Sequence, residues 1–381
     1  MYREKRMGFR RPFNAFAASV LMLLVMGAGF RPAFGAYPTD WKKGQKSSSG
    51  VSLGDGYTVG EASQVDNVTL FAVYRKDQAD LGEFITLDEA LSSGVAEVRE
   101  KGAGGGHHNH HRQSYDDAQV NTLIIQNNGG QTILVLAGTV VIGGKQDRQI
   151  GQDFVIPPYK TVPIDAFCVE HGRWQQNREG ASTGGKFGSA GMLANQKVRA
   201  AAQYEGDQSE VWNQVGKVNK DARKEAGTGT LLATLADKEV AQDREDMTEE
   251  MSRFLRKLDR HDEIVGIAYA VDGEVRGARW FANHAIFSKF EKTLLNTVAT
   301  EALTSQSAAK ADGRSVDTTK AAPGKVKEFV DDLKQAKVTA KKKTAADNEN
   351  QYRESSKGYS SECLIKQDGA AMPVTTDFLS K

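Results

Sequence analysis

Two short polar segments carry the residues best suited to chemistry. The first is Gly143-Gly144-Lys145-Gln146-Asp147-Arg148; the second is Glu170-His171-Gly172-Arg173-Trp174. A glycine pair at a strand end lets backbone amides approach a ligand closely, and Lys145 and Arg148 favour an anion. Arg173 can fork a carboxylate or phosphate, and Trp174 can stack on a planar ring. Glu170 can act as a general base or orient Arg173. The same residue types also admit a blander arrangement, a Glu170–Arg173 ion pair roofed by Trp174 that only fixes a corner of a sheet. The candidate ligand-binding set is Gly144, Lys145, Gln146, Arg148, Glu170, Arg173 and Trp174. It points to a small anionic or nucleotide-like ligand. It specifies neither a reaction nor a cofactor.

Other reactive side chains are weaker candidates. Along Thr161–Val169, Val162, Ile164, Ala166 and Cys168 share one face of a strand, so Cys168 belongs with the aliphatic core. A nucleophilic thiol needs a base or cation beside it. His171 lies at an odd offset from Cys168 and points away. Cys168 and Cys363 are the two cysteines of the chain, either a disulfide or two buried thiols. His107, His108, His110 and His111 can ligate zinc or copper, but their Gly-rich loop lacks the fixed geometry of a structural site, so no metal centre is assigned. The chain has no Walker A loop and no His-Glu-x-x-His motif.

The chain has 381 residues, of which 39% are apolar, enough for a large core over part of its length. Its first 35 residues read as a secretory signal peptide: a basic start, an apolar run from Ala15 to Phe30, and small residues at Ala33 and Gly35. That run falls short of the roughly 20 residues that span a bilayer, which favours cleavage over a stable membrane anchor. The expected address is export, to a periplasm or the extracellular space. The segment holds six Lys/Arg and one Glu, so the remainder carries +1 less 5, or −4. A net negative, exported chain argues against a nucleic-acid partner. Residues 310–343 run the other way, with ten Lys/Arg against five Asp/Glu. They form either a solvated face or a weak contact with an anionic surface.

The elements that must position the polar segments follow from periodicity and turn chemistry. Residues 36–62 read as a flexible linker. A single α+β domain spans 63–375, with insertions at about 101–115, 178–230 and 304–345. Val68–Arg75 reads as a strand. Thr86 and Glu89 form a capping box for a helix over 87–92, and 95–99 is a further strand. Asn127-Asn128-Gly129-Gly130 suggests a hairpin joining 120–126 to 132–142. The N-terminal half is thus an antiparallel β-rich sandwich or roll. Helices follow over 195–204, 209–220 and 237–258, the last with Met247, Met251, Phe254, Leu255 and Leu258 on one stripe. Asp272-Gly273 marks a second hairpin, and Asn283 caps a helix to about Leu303. Residues 304–322 read as a linker and 325–343 as a basic helix. A hairpin at Gln367-Asp368-Gly369 closes the chain and brings Cys363 back to the body.

The two polar segments, spaced as GxxxxGGKQDR and VPIDAFCVEHGRW, resemble the domain named for its association with ARG and rhodanese-phosphatase-superfamily proteins. The likeness continues through EIVGIAYAVDGEVRGARWFAN and YSSECLIKQDGAAMPVTTDF, covering about residues 60–375. It implies a single α+β domain and a shared site at Lys145, Gln146, Arg148, Cys168, Glu170, Arg173 and Trp174, without implying a reaction. The His-rich loop, the 180–230 stretch, the basic 310–343 stretch and the signal peptide depart from the family pattern. The last argues against an intracellular signalling role.

Overall fold

Alternating apolar residues begin the fold earlier than the expected 36–62 linker allows. β1 (Val51–Gly54) and β2 (Tyr57–Val65) are strands that pair with each other, and β2 pairs onward with β3 (Val68–Arg75). Leu53, Tyr57 and Val59 are buried, which explains why this stretch is ordered despite its Gly- and Ser-rich neighbours. The computed structural model describes residues 50–101, 121–178 and 181–381. Residues 47–381 form one compact unit. Residues 1–35, read above as a signal peptide, and His107, His108, His110 and His111 lie outside the described residues.

The β-rich half closes on itself. After β4 (Phe84–Thr86) comes α1 (Leu87–Ser92), capped as its sequence dictates: Glu89 N–H donates to Thr86 Oγ1 at 3.0 Å, and Thr86 N–H donates to Glu89 Oε2 at 2.8 Å. There follow β5 (Ala96–Glu100), β6 (Thr122–Asn127), β7 (Thr132–Val135), β8 (Thr139–Gly143), β9 (Arg148–Ile150), β10 (Phe154–Ile156) and β11 (Thr161–Cys168). The short β12 (Asn177–Arg178) and β13 (Ala181–Ser182) precede β14 (Lys186–Leu193). β11, β6, β5, β14, β8 and β9 form a closed barrel, while β10, β7 and β4 make a small flanking sheet. Val98, Ile125, Val141, Ile150, Ile164 and Phe187 pack in the barrel core.

Two local expectations fail here. The hairpin around residues 127–130 does not form, because β6 pairs with β5 and β11 while β7 pairs with β4 and β10. The turn chemistry itself is real: Asn127 Nδ2 donates to the Gln131, Ile156 and Pro157 carbonyls, and Asn127 Oδ1 accepts from Gly129 N–H. This turn moves the chain between sheets instead of folding it back. The single strand expected over 132–142 is broken at Gly138 (φ +92°) into β7 and β8. Moreover, the Gly- and Ser-rich stretch taken as an insertion supplies β14, the stave that closes the barrel.

The second half is a nine-stranded sheet covered on both faces. α2 (Gln196–Ala200) runs into a π-turn over Ala201–Glu205, followed by α3 (Gln208–Asp221), α4 (Leu232–Leu235) and α5 (Lys238–Arg256). β15 (Ile264–Val271) and β16 (Glu274–Phe281) form a hairpin on Asp272-Gly273, both left-handed at φ 53° and 74°. α6 (His284–Ala311) starts at the expected Asn283 cap, with Ile286 N–H donating to Asn283 Oδ1 at 2.9 Å. It runs well past Leu303, so part of the expected 304–322 linker is helix. α7 (Pro323–Gln335) stops earlier than expected, and Val338–Lys343 is an edge strand, β17, in place of helix. β18 (Asn348–Glu354), β19 (Gly358–Gln367) and β20 (Ala370–Ser380) complete the sheet, in the order β1-β2-β3-β15-β16-β20-β19-β18-β17. Met247, Met251 and Leu255 of α5 and the apolar face of α6 pack on one side with Leu70, Ile267 and Phe281. Val326, Phe329, Val330 and Leu333 of α7 pack on the other side with Phe71, Val73 and Trp280.

The cysteines are not bridged. Cys168 ends barrel strand β11, Cys363 lies in β19 of the large sheet, and both are buried free thiols.

Candidate functional site

The two polar segments meet because β9 and β11 are antiparallel neighbours. Arg148 opens β9 directly opposite Cys168, which closes β11. Lys145–Asp147 form the β8–β9 turn, and Val169–Trp174 leave the barrel on the same rim. Glu100, at the end of β5, joins them by accepting from Lys145 N–H at 2.7 Å.

Arg173 is the most heavily bonded side chain of the rim. Its Nε donates to Glu170 Oε1 and Oε2 at 3.1 and 3.0 Å. Nη1 donates to the Gly144 and Gln175 carbonyls, both at 2.9 Å. Nη2 donates to the Gly143 carbonyl at 3.1 Å and lies 2.8 Å from Glu170 Oε2 and 3.5 Å from Asp147 Oδ1. A guanidinium has five N–H donors, and here all five have acceptors. Arg173 and Glu170 are 5% and 1% exposed. They are therefore spent on the fold and are not available to a ligand. Asp147, outside the sequence-based set, is the hub beneath them. Its Oδ1 accepts from Gly143 N–H at 3.0 Å and its Oδ2 from Thr230 Oγ1 at 2.9 Å. Its N–H donates to Glu170 Oε2 at 3.2 Å.

The glycine pair is explained by crowding. A Cβ on Gly143 would lie 2.2 Å from the Lys186 carbonyl oxygen, and one on Gly144 2.2 Å from the Phe187 ring. Their amides are also occupied, Gly143 N–H by Asp147 and Gly144 N–H by the Lys186 carbonyl at 3.0 Å. The expected use of these amides to cradle a ligand is therefore corrected: Gly144 keeps β14 close. Gln146 is likewise internal, donating to the His171 carbonyl at 3.1 Å.

Lys145, Arg148 and Trp174 remain. Trp174 is 50% exposed, one of the few large apolar side chains so open among the described residues. Lys145 Nζ lies 5.2 Å and the Arg148 guanidinium 6.0 Å from the centre of its ring, both within cation–π reach. Arg148 is 2% exposed; its Nη1 donates to the Gln146 carbonyl at 2.8 Å, and its Nε has no partner. Burial lowers the Arg148 pKa, against the opposing influence of Cys168, Glu100 and Asp147. Burial also pushes the Cys168 thiol up, more than Arg148 pulls it down. Cys168 is therefore a protonated core thiol, unsuited to nucleophilic attack. Its backbone is clamped by Gln208, whose Oε1 accepts from Cys168 N–H and whose Nε2 donates to the Cys168 carbonyl, both at 2.8 Å.

A second buried polar cluster lies where α2, α6 and the large sheet meet. Arg279 and Asp377 are direct partners across β16 and β20, and Arg279 Nε donates to Asp377 Oδ1 at 3.0 Å. Arg199 Nη2 donates to Asp377 Oδ2 at 2.5 Å. Burial alone would raise the Asp377 carboxyl, but Arg199 and Arg279 hold it below the usual carboxylate range. Asp153, whose Oδ1 is 3.7 Å from Arg279 Nη2, is raised by its burial. Sequence reasoning missed this cluster. Its one signal was a charge at an inward-facing position of each strand, in GARWF and TTDFL.

Residues 56–375 match the family model of the ARG and Rhodanese-Phosphatase-superfamily-associated Protein domain, and the chain belongs to that family. No curated protein and no solved structure matches the chain.

Proposed function

We propose that this chain is an exported α+β domain that binds a small anionic, ring-bearing ligand at the barrel rim through Trp174, Lys145 and Arg148. Glu170, Arg173, Asp147, Gln146 and Gly144 hold that surface in place. The observation that carries the reading is the half-exposed Trp174 ring beside two cations, one of which, Arg148, is buried with an unpartnered N–H. An aromatic face edged by positive charge suits a nucleotide-like ligand, whose ring stacks and whose phosphate pairs. Export is supported by the signal-peptide pattern of residues 1–35. N-terminal sequencing of the secreted protein should begin at Ala36, and an uncleaved Met1 start in the mature fraction would remove that support.

Thermal-shift screening with nucleotides and sugar phosphates tests the binding. Wild type should shift with a subset, and Trp174→Ala or Lys145→Ala should lose the shift while staying folded. A second reading has its own observation: the saturated Glu170–Arg173–Asp147 network suits a non-enzymatic envelope or extracellular module whose corner is purely structural. That reading gains if no compound shifts wild type selectively. The exposed Lys341, Lys342 and Lys343 on edge strand β17 support a further weak contact with anionic surfaces. Salt-sensitive retention on anionic vesicles, lost on replacing these lysines by Gln, would bear this out.

A further inference from the structure

The Arg199–Arg279–Asp377 cluster borders a cavity of about 20 Å³ also lined by Ile267, Tyr269 and Leu294, above the roughly 10–15 Å³ that one water needs. Arg279 Nη1 and Nη2 and Arg199 Nε are buried without a hydrogen-bond partner, and the residues are 3% and 4% exposed. Leaving such groups unmet in a dry interior is costly. Among the described residues, every unpartnered buried polar atom on this wall is a donor. A water would accept from the guanidiniums but would also have two hydrogens to place, and the one carboxylate on the wall, Asp377, already accepts from both arginines. An anion only accepts. The charge balance of the wall agrees: two guanidiniums face one carboxylate. Asp153 is 3.7 Å from Arg279, beyond hydrogen-bond reach, and the Glu301 oxygens accept from Gln196 N–H at 2.8 Å and from the Tyr269 hydroxyl at 3.0 Å. Burial raises both of those carboxyls, against the opposing pull of Arg279 on Asp153 and of Arg199 on Glu301.

We infer that this cavity binds a single small monovalent anion of chloride size, held by Arg279 Nη1 and Nη2 and by Arg199 Nε. The anion completes the joint between α2 and the large sheet. The site is separate from the barrel rim and independent of the ligand proposed there.

Thermal unfolding of the full mature chain in chloride or bromide, against gluconate at equal ionic strength, tests this. Gluconate is too large for the cavity. Wild type and Lys145→Ala should show a saturable rise in Tm with chloride or bromide, and Arg199→Gln should lose it. Should Arg199→Gln fail to fold, crystals of wild type grown in bromide still decide the matter. An anomalous peak beside Arg279 is the expected result. Equal Tm in chloride and gluconate, or a water in place of the peak, overturns the inference.

Discussion

The barrel rim and the α2–sheet joint each bury arginine against carboxylate, but they differ in how completely the arginine is satisfied. Arg173 spends all five N–H donors on Glu170, Asp147 and three carbonyls. Arg279 spends Nε on Asp377 and leaves both terminal nitrogens without a hydrogen bond. A saturated guanidinium is a fixed piece of scaffold, whereas an unsaturated one leaves a place for something else. The rim repeats the contrast on a smaller scale, with Arg173 saturated beneath and Arg148 Nε unmet beside Trp174.

The largest expected effect comes from breaking the joint. Asp377→Ala leaves Arg199 and Arg279 facing each other without their shared carboxylate, and removing one partner of a buried pair costs about 3–5 kcal/mol. Urea unfolding should show that loss, and a change under about 1 kcal/mol would mean the network contributes little. Arg173→Ala should cost less, about 3 kcal/mol, because Asp147 keeps its bonds from Gly143 N–H and Thr230 Oγ1, and Glu170 its bond from Asp147 N–H. If Arg173→Ala proves nearly neutral, the contrast between scaffold and contact residues fails.

A pH experiment separates the core thiols from any reactive role. Burial raises the pKa of both Cys168 and Cys363. The folded chain therefore keeps protons that the unfolded chain releases above its thiol pKa of about 8.5. Stability should fall as pH rises from about 8 to 10, and Cys363→Ala should flatten the fall. A Tm that rises over that range would contradict the assignment. Thiol titration should find two groups in denaturant and none in the native state, whereas a disulfide would give none in either. The smallest effect is expected from Trp174→Ala, which should change stability by under about 1 kcal/mol because half the ring is already in water.

The sequence made local devices legible and hid partnerships. The Thr86–Glu89 capping box, the Asn283 cap and the Asp272-Gly273 and Asp368-Gly369 turns are chemistry within a few residues, and each stands where the residue types place it. The inward face of β11 was equally readable from its alternation. Strand partners were not, because Asn127 can fold a chain back or pass it to another sheet with the same side-chain bonds. β14 hid within a Gly- and Ser-rich stretch because glycine serves close strand packing as readily as a loop. At the rim, the fold brings the expected residues together but gives them different tasks. Whether an arginine faces a ligand or a carbonyl depends on which backbone lies behind it, and Gly143, Gly144 and Gln175 supply that backbone from two separate segments.

The division of the rim is tested most directly by one thermal-shift comparison, in which wild type, Arg173→Ala and Trp174→Ala are each titrated with the nucleotide or sugar phosphate that shifts wild type most. Arg173→Ala should start from a much lower Tm, and Trp174→Ala should start near wild type yet lose the ligand shift. A Trp174→Ala protein that keeps the full shift, or an Arg173→Ala protein of wild-type Tm that alone loses it, would contradict the account.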